Sequence, residues 1–162
     1  MTMSGMIIRR AVTADAETVS RLIEQFAVDA LMLRRSPDSI RLAIDDYVVA
    51  VDSTGEIVGC GALKEYSPSV AEVAAIAVSP AAQGRGTGTA IVQAIERLAT
   101  KRGIYEVFAL TLKPAFFSSI GYHRVDRARF PEKIRRDCLG CARRFACNEI
   151  CFARSLPSRL AA

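Results

Sequence analysis

One glycine-rich segment has residue types and spacing suited to chemistry: Gln83-Gly84-Arg85-Gly86-Thr87-Gly88-Thr89. Three glycines in five positions let a backbone turn sharply and approach a ligand without clashes from Cβ atoms. The segment lies between a predicted buried strand and a predicted helix, and the N–H groups that begin a helix favour a phosphate. We therefore expect the main chain here to bind a pyrophosphate. A glycine-rich turn without a ligand is the alternative.

Two other phosphate motifs do not fit this segment. A nucleotide P-loop requires Gly-Lys-Ser/Thr, which does not follow these glycines. A Rossmann fingerprint would be completed by an acidic residue at the end of a second strand roughly 20 residues on, and none is found there.

The elements that must position the segment alternate between strands and helices. β-Branched and apolar runs predict strands at 6–10, 47–51, 57–63, 72–78, 107–110, 122–125 and 150–153. Apolar spacings of three and four, together with Ser or Pro start signals, predict helices at 14–29 with Thr13 as the cap, after Ser36-Pro37, at 87–101 and at 114–119. This alternation predicts one α/β (α+β) domain.

Composition and charge agree with one domain over 1–162. The chain is 51% hydrophobic and 24% charged, as in globular proteins. Its positive charge comes from a basic, cysteine-containing segment at about 126–162, since residues 123–162 hold 10 Lys/Arg against 4 Asp/Glu. Nucleic-acid binding is one interpretation of this segment, but no base-reading motif accompanies it. We expect no nucleic acid, with these arginines on an outer face or beside acidic groups.

The expected location is the cytoplasm. No apolar stretch approaches the roughly 20 residues that span a bilayer, and residues 1–10 do not form a secretory signal. We expect no membrane partner, and the five cysteines should be mostly reduced thiols. A homodimer is left open.

Two motifs resemble a known family. Ala77-Val78-Ser79-Pro80 followed by Gln83-x-x-Gly86-x-Gly88 is similar to the acetyl-CoA motif of the GNAT N-acetyltransferases, and Phe116–Tyr122 resembles their late helix and Gly-aromatic segment. The likeness covers about residues 6–125. It implies acetyl-CoA as co-substrate and a GNAT-like three-layer fold, with helices on both faces of a mixed central sheet that is splayed between two neighbouring strands.

The resemblance also implies which residues bind acetyl-CoA. The pantetheine arm would lie against the main chain of Ile76, Ala77 and Val78. The pyrophosphate would bind Gln83, Gly84, Arg85, Gly86, Thr87, Gly88 and Thr89. Phe117 stands where the family often has a general-acid tyrosine; we place it beside the cofactor and leave the acid unassigned.

Further segments resemble the acetyltransferase domain of bacterial N-acetylglutamate synthases, in a short form. They are Leu33–Ser36, Val58–Leu63, Ala71–Val73 and Leu110–Phe117. The likeness implies transfer of acetyl to the α-amino group of glutamate, in arginine biosynthesis. It implies that Arg35 and Lys113 hold the substrate carboxylates, with Lys113 standing where the long enzymes have an arginine.

Glu72 is the expected catalytic base. An amine is protonated at neutral pH and must lose a proton before it attacks a thioester, and a strand carboxylate beside the cofactor can take that proton directly or through water. An N–H near Ala77 or Val78 would steady the oxyanion. The alternative for Glu72 is an edge carboxylate that faces solvent.

Cys138-x2-Cys141-x5-Cys147-x3-Cys151 has partial zinc spacing. Because Cys151 lies in a predicted apolar strand, we expect reduced thiols and no metal. The alternatives are a zinc site and a disulfide, Cys138–Cys141 or Cys141–Cys147, formed by oxidation. We interpret Cys60 as a small buried residue rather than an acyl-cysteine nucleophile, and His123 as structural.

The sequence leaves three functions open besides acetylation of glutamate. The acceptor could be another small amine or a protein N-terminus, the chain could be a non-catalytic acyl-CoA or metal sensor, or it could bind nucleic acid.

Overall fold

The computed structural model describes residues 2–3, 5–29, 32–141 and 147–157. The chain forms two compact units. The first unit holds Met1–Lys64 and Val73–Leu98, and the second holds Glu65–Glu72 and Ala99–Ala162. Domain number and the bounds of the basic segment stay predictions.

The first unit is a sheet covered by helices. Its strands lie in the order β1-β2-β3-β4-β5. β1 pairs antiparallel with β2, β2 with β3, and β3 with β4. The strands are β1 (Thr2–Met3), β2 (Met6–Arg10), β3 (Tyr47–Val51), β4 (Ile57–Glu65) and β5 (Val70–Val78), of which β5 runs on from the second unit. The helices are α1 (Ala16–Ala27), α2 (Pro37–Leu42) and α3 (Thr87–Lys101).

Small residues on β4 let α3 pack closely against the sheet. A Cβ atom at Gly59 would lie 2.8 Å from Cδ1 of Ile91, and one at Gly61 would lie 2.7 Å from side-chain atoms of Ile76, Ile91 and Ile95. Real Cβ atoms do not approach other atoms so closely, so a side chain at either position would force these isoleucine side chains to shift. The close packing fixes the helix that follows the glycine-rich segment.

The second unit contains the start of β5 and the remaining elements, with strand order β5-β6-β8-β7. β5 and β6 are parallel, with Val70 opposite Glu106 and Glu72 opposite Phe108, whereas β8 is antiparallel to both β6 and β7. The elements are β6 (Glu106–Thr111), α4 (Pro114–Ser119), β7 (His123–Arg124), α5 (Pro131–Lys133), a π-helical turn (Ile134–Cys138) and β8 (Ile150–Ser155).

These elements confirm the predicted α/β fold class, a mixed sheet with helices. α3 and α4 have the predicted bounds, and Ser36 caps α2 by accepting the Ser39 N–H at 3.1 Å. The prediction for Thr13 is wrong. A tight turn precedes α1, and the Asp15 carboxylate accepts the Val12 N–H at 2.8 Å while it pairs with Arg9.

No helix in the described part of the chain is long and apolar enough to cross a membrane.

Candidate active site

Residues 83–86 of the glycine-rich segment form an exposed loop that precedes α3, and the rest of the segment is the first turn of that helix. Gly84 and Gly86 have φ values of +75° and +80°, in the left-handed region that side chains with a Cβ rarely adopt. The buried Thr87 hydroxyl donates to the Ala82 carbonyl at 3.0 Å, and the Gln83 side-chain amide donates to the Val78 carbonyl at 2.9 Å. These bonds tie both ends of the loop to the protein.

The geometry of the loop suits an anion. A helix leaves its first N–H groups without intrahelical partners, and its N-terminus carries partial positive charge. α3 begins at Thr87, so the N–H groups of Thr87, Gly88 and Thr89 are of this kind, next to four exposed residues, 83–86. The loop can bind phosphate groups through its main chain, with the Arg85 charge at the surface.

A strained residue on β5, Ala75, was not anticipated from the sequence. Its φ is +55°, and it is the one non-glycine residue with positive φ in the described ranges. A left-handed conformation costs an alanine roughly 1–2 kcal/mol. The Ala75 carbonyl accepts the Cys60 S–H at 3.4 Å, and the Ser79 N–H donates to Val58 at 2.8 Å. The break in regular geometry comes directly before Ile76, Ala77 and Val78, where the pantetheine arm is expected.

The carboxylate of Glu72 is buried in the second unit, so the interpretation of an edge carboxylate facing solvent is wrong. Its Oε1 accepts the Tyr66 hydroxyl at 3.1 Å and the Lys133 ammonium at 2.9 Å. Asp137 Oδ2 accepts the same ammonium at 3.1 Å and is in close contact with the same hydroxyl. We call Tyr66, Glu72, Lys133 and Asp137 the acidic ring.

The ring fixes the protonation of two of its members. Burial raises the pKa of Tyr66, and the charges of Glu72 and Asp137 raise it further. Burial alone would lower the pKa of Lys133, but the charge of Glu72 and hydrogen bonds to Glu72 and Asp137 outweigh burial and raise it. At neutral pH, Tyr66 is therefore a neutral hydroxyl and Lys133 an ammonium. Sequence reasoning missed Tyr66, Lys133 and Asp137; the spacing of four between Lys133 and Asp137 was the one local signal.

Arg35 is half-buried in the first unit, after α1. Its carbonyl accepts the Ser20 hydroxyl at 2.7 Å, and its guanidinium lies 3.5 Å from the Tyr47 hydroxyl. Burial raises the pKa of Tyr47, so the neighbour of this guanidinium is a neutral group. Lys113 is exposed before α4 in the second unit, where its N–H donates to the Thr111 hydroxyl at 2.8 Å.

Phe117 and Cys60 are both buried. The Phe117 ring centroid lies 5.1 Å from that of Tyr122 and 6.4 Å from that of Phe152, within the aromatic core of the second unit. Burial raises the pKa of Cys60 to about 12, so the thiol stays protonated. Because the thiolate is the nucleophilic form, this geometry favours the interpretation of Cys60 as a small core residue.

Arg127 is a shared neighbour of cysteines in the C-terminal segment, since its charge acts on Cys138, Cys147 and Cys151. Both terminal guanidinium nitrogens of Arg127 lie 3.6 Å from Cys147 Sγ, and one of them donates to the Glu149 carbonyl at 2.6 Å. Cys151 is buried on β8, which raises its pKa to about 11. Within 5–29, 32–141 and 147–157, no three His, Cys, Asp or Glu side chains are grouped to hold a metal ion.

Arginines of the basic segment meet acidic groups. Arg129 pairs with Glu106 at 2.5 Å, and Arg135 pairs with Glu132. Part of the positive charge is therefore neutralised within the second unit.

Known proteins similar to this chain include acetyltransferases of its own length and longer. An uncharacterized N-acetyltransferase of Chlorobaculum tepidum is 38% identical over 149 residues, which are 92% of this chain and 96% of that protein. An amino-acid acetyltransferase of Mycobacterium tuberculosis is 31% identical over 74% of this chain and 70% of its own length.

Solved structures with a similar fold also include an N-acetylglutamate synthase and a protein bound to coenzyme A. The N-acetylglutamate synthase of Neisseria gonorrhoeae, complexed with coenzyme A and N-acetyl-glutamate, matches with a TM-score of 0.84 and 27% identity over 94% of this chain. The chain spans only 35% of that synthase. A Mycobacterium tuberculosis protein in complex with CoA matches with a TM-score of 0.80 and 26% identity, over 93% of this chain and 99% of its own.

The acetyltransferase (GNAT) family model matches residues 17–126, a range that contains β5, the glycine-rich loop and α3. The chain therefore belongs to the GNAT family and is an acetyl-CoA-dependent N-acetyltransferase.

Proposed function

We propose that this enzyme transfers acetyl from acetyl-CoA to the α-amino group of glutamate, in the cytoplasm and for arginine biosynthesis. The observation that carries the proposal is the similarity to the Neisseria gonorrhoeae synthase domain, whose structure contains coenzyme A and N-acetyl-glutamate. Relatives named amino-acid acetyltransferase support the same class of acceptor.

Arg35 and Lys113 bind the two carboxylates of glutamate in this proposal. A dicarboxylate requires cations at its binding site, and a charge-assisted contact is stronger than a neutral one. Among the residues that the structure describes, no carboxylate pairs with the Arg35 guanidinium, whose neighbour is the neutral Tyr47 hydroxyl. Its positive charge is thus available to an acidic ligand. The exposed Lys113 supplies the second charge without the planar two-pronged geometry of an arginine.

The acetyl-CoA itself binds through the main chain of Ile76, Ala77 and Val78, the loop from Gln83 to Thr89, and Phe117. The left-handed glycines support the loop assignment because a backbone without Cβ atoms at these positions can approach a phosphate closely.

Glu72 takes the proton of the substrate ammonium, directly or through water. The neutral amine attacks the thioester carbonyl, an N–H near Ala77 or Val78 steadies the oxyanion, and the C–S bond breaks to release the thiol of CoA. Burial of Glu72 supports its role, because a proton acceptor shielded from bulk water stays correctly placed for each turnover.

The test is thiol release from acetyl-CoA with a panel of amino acids and a peptide bearing a free N-terminus. We expect glutamate to give the highest kcat/KM. Arg35→Ala should lose about 2–4 kcal/mol of glutamate binding, a rise in KM of roughly 30-fold or more, with the affinity for acetyl-CoA kept. The matched control is Arg34→Ala, since Arg34 is exposed and pairs with Glu24 on the surface. Release with another amine and none with glutamate would reject the proposed acceptor.

A further inference from the structure

We propose that the acidic ring conducts the substrate's proton out of the site, with Tyr66 passing it from Glu72 to Asp137 and Asp137 releasing it to water. The inference rests on the proposed role of Glu72 as base. It makes Tyr66 and Asp137 positioning residues for proton transfer, since neither is expected to touch the substrate.

Counting protons within the ring leads to this assignment. The Tyr66 oxygen is within hydrogen-bond distance of two carboxyl oxygens, Glu72 Oε1 and Asp137 Oδ2. A hydroxyl has one proton to donate, and an ionised carboxylate can only accept. Both contacts are full hydrogen bonds when one carboxyl carries a proton and donates it to the Tyr66 oxygen.

The extra proton has two arrangements. It can sit on Glu72 while Tyr66 donates to Asp137, or it can sit on Asp137 while Tyr66 donates to Glu72. Exchange between the two moves a proton from one carboxyl to the other, and the tyrosine is neutral at the beginning and at the end. The raised pKa of Tyr66 agrees with a hydroxyl that is never left as a phenolate.

The difference in solvent exposure between the two carboxyls directs the proton from Glu72 to Asp137. The Glu72 side chain is 8% exposed and the Asp137 side chain is 27% exposed. A proton on Glu72 therefore has poor contact with bulk water, whereas one on Asp137 can leave to a water molecule or a buffer base. The ring connects a buried base to the surface of the second unit.

Lys133 holds the ring together without carrying the proton. Its ammonium contacts the same two oxygens that face Tyr66, at 2.9 and 3.1 Å, and so keeps the carboxyls at a fixed separation. Because the pKa of Lys133 is raised, it keeps its own proton at neutral pH. Arg136 also lies over the Tyr66 side chain, with its guanidinium carbon 5.1 Å from the centroid of the aromatic ring, and adds positive charge beside this tyrosine.

Each proton is accounted for. An N–H bond of the substrate ammonium breaks as an O–H bond forms on Glu72. That O–H bond breaks as the Tyr66 oxygen receives the proton, while the original Tyr66 O–H bond breaks and one forms on Asp137. Asp137 then gives its proton to water or a buffer base, with no oxidation or reduction.

The test uses Tyr66→Phe and Asp137→Asn in the full chain, with the amine that the wild-type enzyme acetylates fastest. In dilute buffer we expect each to lower kcat about tenfold, less than the roughly 100-fold or more expected for loss of the base itself, with acetyl-CoA affinity kept. Adding imidazole should restore the kcat of Asp137→Asn in proportion to its concentration, because a small base can replace the lost exit, and should leave the wild type unchanged. A purely structural role would give no such rescue.

Two matched control variants remove a tyrosine hydroxyl and an aspartate charge at positions outside the acidic ring. Tyr105→Phe changes a half-exposed tyrosine, and Asp126→Asn changes an aspartate that caps a turn by accepting the Ala128 N–H. Both should keep kcat within about twofold. Asp137→Glu keeps a carboxyl and should keep most of the turnover, which guards against a fold defect in Asp137→Asn.

An unchanged kcat in either Tyr66→Phe or Asp137→Asn would overturn the relay, and so would a lowered kcat of Asp137→Asn that imidazole does not restore. Because the acceptor is chosen by wild-type turnover, either outcome is distinct from failure of the glutamate proposal.

Discussion

The glycine-rich loop and the acidic ring use different parts of the chain, since the loop presents main-chain groups and the ring is formed by side chains. The loop presents main-chain groups from one continuous segment at the surface, with two glycines in left-handed conformations. The ring joins four side chains from separate segments, and its central carboxylate, Glu72, is buried. Binding a phosphate requires N–H groups that the backbone always has, whereas moving a proton requires titratable side chains held within hydrogen-bond distance.

The two regions should therefore fail in different ways. Backbone changes should damage the loop by preventing cofactor binding at any pH. Isosteric side-chain changes should leave the ring's shape in place while removing its chemistry. Variants of each type can separate binding from turnover.

The largest effect is expected for Glu72→Gln. Glutamine keeps the shape of the side chain and removes the proton acceptor, so turnover should fall at least about 100-fold, as for loss of a general base. Acetyl-CoA affinity, measured by calorimetry, should not change. Glu56→Gln, in the exposed hairpin turn, is the control. A fall of less than about fivefold would mean that Glu72 is structural and that solvent takes the proton.

Gly86→Val should weaken cofactor binding to the glycine-rich loop. Valine is strained at a φ of +80°, by about 1–3 kcal/mol, and its side chain would block the approach of a phosphate to the main chain. We expect acetyl-CoA to bind about 100-fold more weakly in calorimetry.

The control is Gly55→Val in the β3–β4 turn, where φ is +88° and a Cβ would meet no atom within 4 Å. Gly55→Val should lower the thermal stability about as much as Gly86→Val does, and it should keep the wild-type affinity for acetyl-CoA. Equal affinity in a folded Gly86→Val protein would show that the loop does not bind the cofactor.

The smallest effect, on stability, is expected for Lys133→Met. Removing the ammonium deletes two ion pairs, to Glu72 and to Asp137, so the free energy of unfolding should fall by about 2–3 kcal/mol in chemical denaturation. Lys101→Met, at an exposed position near the end of α3, should change it by less than about 0.5 kcal/mol.

The free energy of unfolding that is lost in Lys133→Met depends on pH in a direction fixed by the pKa of Lys133. The pKa of Lys133 is raised in the folded protein above the usual value of 10.5, so its charge stabilises the fold fully below that value. The difference between wild type and Lys133→Met should be constant from neutral pH to about pH 9 and should shrink as pH rises through the raised pKa. A difference that grows with alkaline pH would contradict the assigned ion pairs.

Much of the fold and the loop could be predicted from the sequence because their causes are local. The bounds of α3 and α4, the Ser36 cap and the β3–β4 hairpin follow from residues a few positions apart, and glycine spacing alone indicates a left-handed turn. The proposed cofactor loop is of this kind.

Only the tertiary structure decided the surroundings of Glu72. Lys133 and Asp137 lie 61 and 71 residues from their partners Glu72 and Tyr66, so no periodicity or cap signal connects them. The left-handed Ala75 carries no local signal either, since alanine fits a regular strand. The Arg9–Asp15 pair replaced the expected Thr13 cap because β2 places a guanidinium beside the turn. Short-range propensity sets where elements begin and end, whereas the pairing of buried charges depends on which distant segments the fold brings together.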